Sequence, residues 1–461
     1  MKRWMIVPFM LMQGLSGCAL YHPKPLAATP SFLERVPRLT VTADRLALPE
    51  LGNYPFNPDD GLDMTEVAIL AVVNNPDLRT QRDGRGIARA QLLAAGVLPN
   101  PQVTAGLDHP TTSGPGLMNA FALGLSYDFG ALVTRPAALG AARAAVDKVD
   151  WGMLWQEWQV VQKARLLYIQ ITGQEKLYRT LQQYRALVAE RYRRAAAALA
   201  EGNLTMDTVT ANLTELQAVD SRLHELQRKN RQGRQDLNAL AGVAPAVQLP
   251  LTGNAHLPHL TAEQIAAALK RLPQRRPDLL ALQAGYTSQE QLFRQAVLAQ
   301  FPSLNLGLTR ARDTSGIYTS GLGVTMTLPV FDRNQGSIAI ARATRRQLYD
   351  EYQARLDAAC SEVAALAEQI RLTDKQRAEV SAALPQLETV ARRARDALDA
   401  GEMEIAQFTG LQAALFEKRL EVQTLEQSLL EQRAMLLTLL GSDFSGRKGV
   451  PQIHPTTQKG R

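Results

Sequence analysis

Two cysteines and six histidines are the residues of this 461-residue chain best suited to metal or nucleophilic chemistry. His256-Leu257-Pro258-His259 sets two imidazoles three positions apart. Pro258 prevents the regular helical spacing that would turn both rings towards one ion. A solvated linker is the preferred reading, and no metal site is assigned. Cys360 has no neighbouring histidine to activate it as a nucleophile. No glycine-rich phosphate loop follows a strand pattern. The remaining candidates are acidic: Asp207 lies near Gly202, and Glu402 and Glu404 lie beside Gly401. Carboxylates gathered in a ring attract cations, whereas single acids also collect at helix N-termini, where the dipole favours them. Both readings stay open. No catalytic constellation is found, so the chain is read as a non-enzyme without a cofactor.

The N-terminus offers a different chemistry. Met1-Lys2-Arg3 is a short basic start, and Trp4 to Leu15 is apolar but too short for a permanent membrane helix. Residues 1–17 read as a secretory signal. They lead into Leu15-Ser16-Gly17-Cys18, which resembles a bacterial lipobox. In such a box small residues admit the peptidase, and the Cys18 thiolate receives diacylglycerol. Ala19 follows where Asp would favour inner-membrane retention, so the resemblance implies sorting to the outer membrane. Cys360 sits in a helical pattern as a small core residue, and one mature chain can form no internal disulfide. Losing Lys2 and Arg3 with the signal lowers the formal charge from +7 to +5. The basic residues alternate with acids along helices, and no aromatic-basic cluster points to nucleic acid. No later apolar run reaches transmembrane-helix length, so any membrane crossing must use strands.

The elements that would position these residues are duplicated. Asn75-Pro76-Asp77-Leu78 recurs as Arg276-Pro277-Asp278-Leu279, Pro101 as Pro302 and Gly106 as Gly307, all 201 positions apart. Gly202 pairs with Gly401 and Gly242 with Gly441, 199 apart. Two halves, 61–242 and 262–441, follow one plan. A Pro-rich arm (18–60) precedes them, a linker (243–261) separates them, and a polar tail (442–461) follows. Asp63 with Glu66, and Thr261 with Gln264, have capping-box spacing. Pro76 and Pro277 then open helices at the first turn.

Strands are expected at about 101–109 and 119–129, and again at 302–310 and 320–331. Phe121, Leu123 and Leu125 alternate with Ala122, Gly124 and Ser126; Leu322, Val324 and Met326 alternate with Gly323 and Thr325. This period of two gives one apolar and one polar face, at a length that can cross a bilayer obliquely. A soluble antiparallel sheet would alternate in the same way. Four strands cannot close a transmembrane barrel, for which about eight are needed. The intervening loops are expected at 109–118 and 310–319.

Long helices follow each strand pair. Apolar residues recur at steps of three and four from about Thr134 to Ala200 and from Gln335 to Ala400, each longer than a compact domain can hold. Pro385 should bend or loosen the second of these. Partner helices, one of them about Ile405 to Leu440, have coiled-coil-like spacing. Gly202 and Gly401 mark the turns between helices. Trp151, Trp155 and Trp158 share one helical face and read as a core or junction stripe.

The signal, lipobox, arm and two copies of helix, hairpin and long helical hairpin resemble the TolC-like outer-membrane factor family. Its carriers are the paired motifs at 75–78 and 276–279, Phe301-Pro302-Ser303-Leu304, and the run from Leu328 to Gly336. Within that run, Asp332-Arg333-Asn334-Gln335-Gly336 resembles the heavy-metal cation branch. The first half departs from it, reading Tyr127-Asp128-Phe129-Gly130-Ala131. The resemblance implies a mainly α fold with a transmembrane β-barrel: a homotrimer whose twelve strands close the barrel and whose helices form a periplasmic tunnel. It implies a passive outer-membrane exit duct for small substrates, served by a periplasmic adaptor and an inner-membrane pump. The helical tips, with Gly202, Leu204, Gly401 and Met403, would meet the adaptor and gate the tunnel, and Asp207, Glu402 and Glu404 would form an acidic mouth. A multidrug or type I secretion duct, or a non-conducting lipid-anchored coiled-coil scaffold, are the alternatives.

Overall fold

A computed structural model describes residues 21–37, 51, 54–112 and 114–441. Cys18 with its signal, and the tail 442–461, lie outside the described residues. The first half comprises α1 (Met64–Asn74), α2 (Pro76–Gly96), β1 (Gln102–Asp108), β2 (Ala120–Asp128), α3 (Gly130–Ala200) and α4 (Met206–Leu240). The second comprises α5 (Ala262–Lys270), the single turn α6 (Leu272–Arg275), α7 (Pro277–Leu298), β3 (Leu304–Arg312), β4 (Tyr318–Met326), α8 (Gln335–Asp399) and α9 (Ile405–Leu439).

Both halves begin as their caps dictate. The Asp63 carboxylate accepts from the Glu66 amide at 2.8 Å, and Glu66 accepts from the Asp63 amide at 2.9 Å. Thr261 and Gln264 make the same reciprocal pair at α5. Tyr54 donates to Asp63 at 2.6 Å, and this bond, with burial, pushes the phenol up to about 12. Pro76 and Pro277 open α2 and α7. The residue before each proline differs in role. Asn75 caps α2, its Oδ1 accepting from the Leu78 amide at 2.9 Å, while its Nδ2 donates to the Leu240 carbonyl at 2.9 Å. Arg276 is fully buried, bonds Asp278 at 2.8 Å, and lies 4.9 Å from the centre of the Trp155 ring.

α3 and α8, with 71 and 65 residues, run about 107 and 98 Å. On the strand side they pack with α2 and α7; on the far side they pack with α4 and α9. Tyr184 of α3 stacks on Phe416 of α9 at 4.0 Å, which ties the two helical hairpins together. Pro385 does not interrupt α8. The main core lies midway along the molecule. There α1, apolar on all sides and therefore buried on all sides, is enclosed by α3, the arm and the linker. Leu154 and Trp158 enter this core and Trp151 and Trp155 pack against it, as the core reading of the stripe expects. Cys360 packs as a half-buried residue against a second cluster.

Asn75→Ala strands the Leu78 amide and the Leu240 carbonyl in a buried position, at a cost of about 1–3 kcal/mol. Amide exchange at Leu78 should quicken about tenfold or more; an unchanged rate would contradict this role.

Candidate functional site: the open sheet and the hairpin tips

The four strands form one antiparallel sheet in the order β1-β2-β3-β4. The register places like with like: Val103 faces Leu125, Leu125 faces Leu308, and Leu308 faces Leu322. The opposite face carries small and polar groups in the same register, with Thr104, Gly124, Thr309 and Gly321 in one row. The expected facing of Phe121, Leu123, Leu125, Leu322, Val324 and Met326 away from Gly124, Ser126, Gly323 and Thr325 therefore holds within the sheet. Among the described residues no helix covers either face. Leu107 and Leu322 are both 74% and 72% exposed, respectively, where a soluble sheet would bury one face. β1 and β4 have one strand partner each, so both sheet edges are free among the described residues.

The apolar band runs obliquely. On β2 it is centred near Leu123, whose β3 partner is Arg310; on β3 the apolar run ends at Leu308 and is centred on Leu306, four positions away. Leu123 and Val324 thus share a depth only if the strands are tilted to the membrane normal, as barrel strands are. Arg310 and Arg312 sit on this apolar face beyond the band. The Arg312 guanidinium lies 5.4 Å from the Phe121 ring and 5.9 Å from the Tyr318 ring. An aromatic-basic rim of this kind suits a membrane–water interface.

Three strand ends differ from expectation. β3 runs on to Arg312 and β4 starts at Tyr318, because the loop closes in five residues: the Asp313 carboxylate accepts from the Ser315 and Ile317 amides, both at 2.9 Å, and Gly316 has φ +83°. β4 ends at Met326, not near 331; Pro329 has no amide to extend the ladder, and Leu328 and Val330 are exposed. The Asp332–Gly336 run is a self-bonded strand-to-helix turn. Asp332 accepts from the Asn334 amide at 2.8 Å, the Asn334 side chain donates to the Ala296 carbonyl at 2.9 Å, and Asn334 has φ +58°. These contacts account for the turn and present no ligand set.

The two tips are near-identical. Gly202 (φ +77°) donates to the Leu199 carbonyl at 3.0 Å and Asn203 to Ala198 at 2.8 Å; Gly401 (φ +76°) donates to Leu398 at 3.0 Å and Glu402 to Ala397 at 2.8 Å. Both are glycine-terminated helix ends of the Schellman type. A Cβ on either glycine would meet nothing within 4 Å, so only the backbone conformation demands glycine there. Leu204 and Met403 are half-buried, and the most exposed apolar tip residue is Met206 (65%), followed by Ile405 (44%). Sequence reasoning missed that pair, although their 199-residue offset was available. Asp207 lies in the first turn of α4 and Glu404 is the N-cap residue of α9, positions the helix dipole accounts for; Glu402 lies on the turn. All three are exposed. Arg191, Arg194 and Arg395 line a cavity of about 170 Å³ just above the tips, so the local charge is mixed. His256 and His259 are exposed in the linker, and no group of three or more metal-binding side chains occurs among the described residues.

The family profile for outer membrane efflux protein matches residues 268–442. The match covers nearly all of the second repeat, which is similar to the outer membrane efflux protein family. The likeness to solved structures extends over both halves, as a likeness of fold. CusC, in a structure reporting conformational changes that accompany folding and transmembrane channel formation, matches with a TM-score of 0.69 at 19% identity, covering 86% of this chain and 96% of that one. The outer-membrane channel OprN matches at 0.72 and 15%, covering 91% and 100%. VceC of Vibrio cholerae matches at 0.68 and 17%, covering 83% and 96%. No curated relative matches in sequence. The expected TolC-like fold is therefore present, first half included, and the efflux-channel family consists of transport ducts, not enzymes.

An uncovered apolar sheet face of this length suits contact with lipid. Leu123→Arg or Val324→Arg should destabilise the inserted protein by about 2–4 kcal/mol, and Ser126→Arg or Thr325→Arg by much less. Unfolding from lipid vesicles measures both, and equal tolerance on the two faces would contradict the assignment.

Proposed function

We propose that the protein is the outer-membrane exit duct of a tripartite efflux system. The observation that carries this is a four-stranded sheet with two free edges and an uncovered apolar face, continued by helices about 100 Å long. Joining three copies edge to edge gives twelve strands, enough for an aqueous lumen, and the helices continue that lumen into the periplasm. A diacylglycerol on Cys18 tethers the arm to the membrane and supplies part of the affinity. The tips, through Leu204, Met403, Met206 and Ile405, dock a periplasmic adaptor. The duct is passive, and an inner-membrane pump supplies the energy. For cargo, the resemblance at Asp332–Gly336 favours divalent heavy-metal cations.

Purified protein should migrate as a heat-modifiable trimer and conduct ions across a planar bilayer. A non-conducting monomer would instead fit a lipid-anchored scaffold. Deleting the gene should sensitise cells to zinc, cobalt, cadmium, copper or nickel more than to dyes and detergents; the reverse pattern moves the cargo to drugs. Palmitate labelling should vanish in Cys18→Ser.

Placing alanine at both tip glycines costs on the order of 1–2 kcal/mol at each left-handed position. Gly202→Ala with Gly401→Ala should lower resistance and adaptor cross-linking while trimers still assemble and insert. Wild-type values for both would remove the tips from docking.

A further inference from the structure

The two halves treat their first helices differently. α1 is buried from Glu66 to Val72, whereas its counterpart α5 has no buried residue. Beside α5 lies an open groove of about 480 Å³, walled by α5, α8 and α9, with Ile265, Leu269, Ile370 and Leu436 along it. In the first half the matching space is filled by the chain that leaves α4. Gly242 (φ +62°) turns it back, Leu249 packs at 3% exposure, and the Leu62 and Thr252 amides donate to the Pro250 and Leu62 carbonyls at 2.6 and 3.0 Å. Arg234 fastens this cover: its Nη1 donates to the Leu249 carbonyl at 3.1 Å and its Nη2 to Glu175 at 2.5 Å.

The second half keeps the fasteners. Arg433 and Asp374 stand 199 positions after Arg234 and Glu175, and both line the open groove. Asp374 pairs with Arg377 at 3.0 Å on its own helix, and Arg433 Nε is buried without a hydrogen-bond partner, which is unfavourable if left so. Gly441 (φ +63°) repeats the turn of Gly242. The chain beyond it carries Val450-Pro451-Gln452-Ile453, starting two positions further from Gly441 than Leu249-Pro250-Leu251 starts from Gly242.

We propose that residues 442–453 fold back over α5 and seat Val450 and Ile453 in this groove, with a main-chain carbonyl of that segment accepting from Arg433. The tail is then the second half's version of the linker and completes its core. The groove begins one helical turn before Gly441, so the segment reaches it without a long span.

The test uses the full chain with Cys360→Ser, in which Ala266→Cys on α5 is combined with Ile453→Cys and oxidised. An intrachain disulfide is expected in most molecules, and mixing isotopically light and heavy protomers identifies it by mass spectrometry. No disulfide, or one only between chains, overturns the proposal; so does preferential bonding of Ala266→Cys to Leu46→Cys in the arm. As a second measurement, ending the chain after Gly441 should speed amide exchange across Ile265–Leu269 at least tenfold while α1 stays unchanged. Equal rates with and without the tail overturn it as well.

Discussion

Unpaired backbone groups along β1 and β4 and an uncovered apolar face on the same sheet set the terms for the rest of this fold. In water the exposed leucines and valines of four strands gain nothing from folding, and in lipid each unpaired edge group costs several kcal/mol. Closure against further strands meets both demands together. The rest of the chain is consistent with that closure. Helices of about 100 Å leave the sheet from one side only, so the hairpin loops with Arg310, Arg312 and Tyr318 occupy the opposite rim.

Holding such long helices requires side contacts along their whole length. Neither α3 nor α8 is strongly amphipathic over a single seam, because each changes partners midway, from α2 and α7 to α4 and α9. The change takes place at the level of the core around α1. The arm, the linker and the Trp151–Trp158 stripe gather there, and Arg276 is buried under Trp155 with its charge held by Asp278. This level joins two four-helix layers end to end, α2-α3-α7-α8 on the strand side and α4-α3-α9-α8 on the far side. Duplication lets one design serve both halves, and the halves diverge where their surroundings differ, as Asn75 and Arg276 show.

Much of this was legible because local chemistry and the repeat agreed. Capping boxes, prolines at first turns and glycines at the tips each specify a backbone conformation, and each appears at both copies. The facing of the strands was legible from their period. Their ends were not: apolar alternation continues through Leu328 and Val330 although Pro329 cannot extend the ladder, and the tight Asp313–Ile317 turn hides behind a polar run that reads as a longer loop. The exposed tip pair, Met206 and Ile405, was obscured because sequence alone ranks Leu204 and Met403 equally apolar, and burial depends on packing. The Asp332–Gly336 run spends its polar atoms on a strand-to-helix turn, so its bearing on cargo rests on resemblance and not on ligation.

The central claim is that this open sheet closes by joining the β1 edge of one protomer to the β4 edge of another. In a Cys360→Ser background, Thr104→Cys on β1 can be paired in turn with Thr319→Cys, Gly321→Cys, Gly323→Cys or Thr325→Cys on β4, all on the small-residue face. Within one chain β1 and β4 are separated by two strands, roughly 14 Å, so a disulfide between them must link protomers. At one or more β4 positions, oxidation in membranes should yield covalent dimers and trimers and nothing larger. Absence of interchain disulfides at all four positions, in protein shown to be membrane-inserted, would contradict edge-to-edge closure.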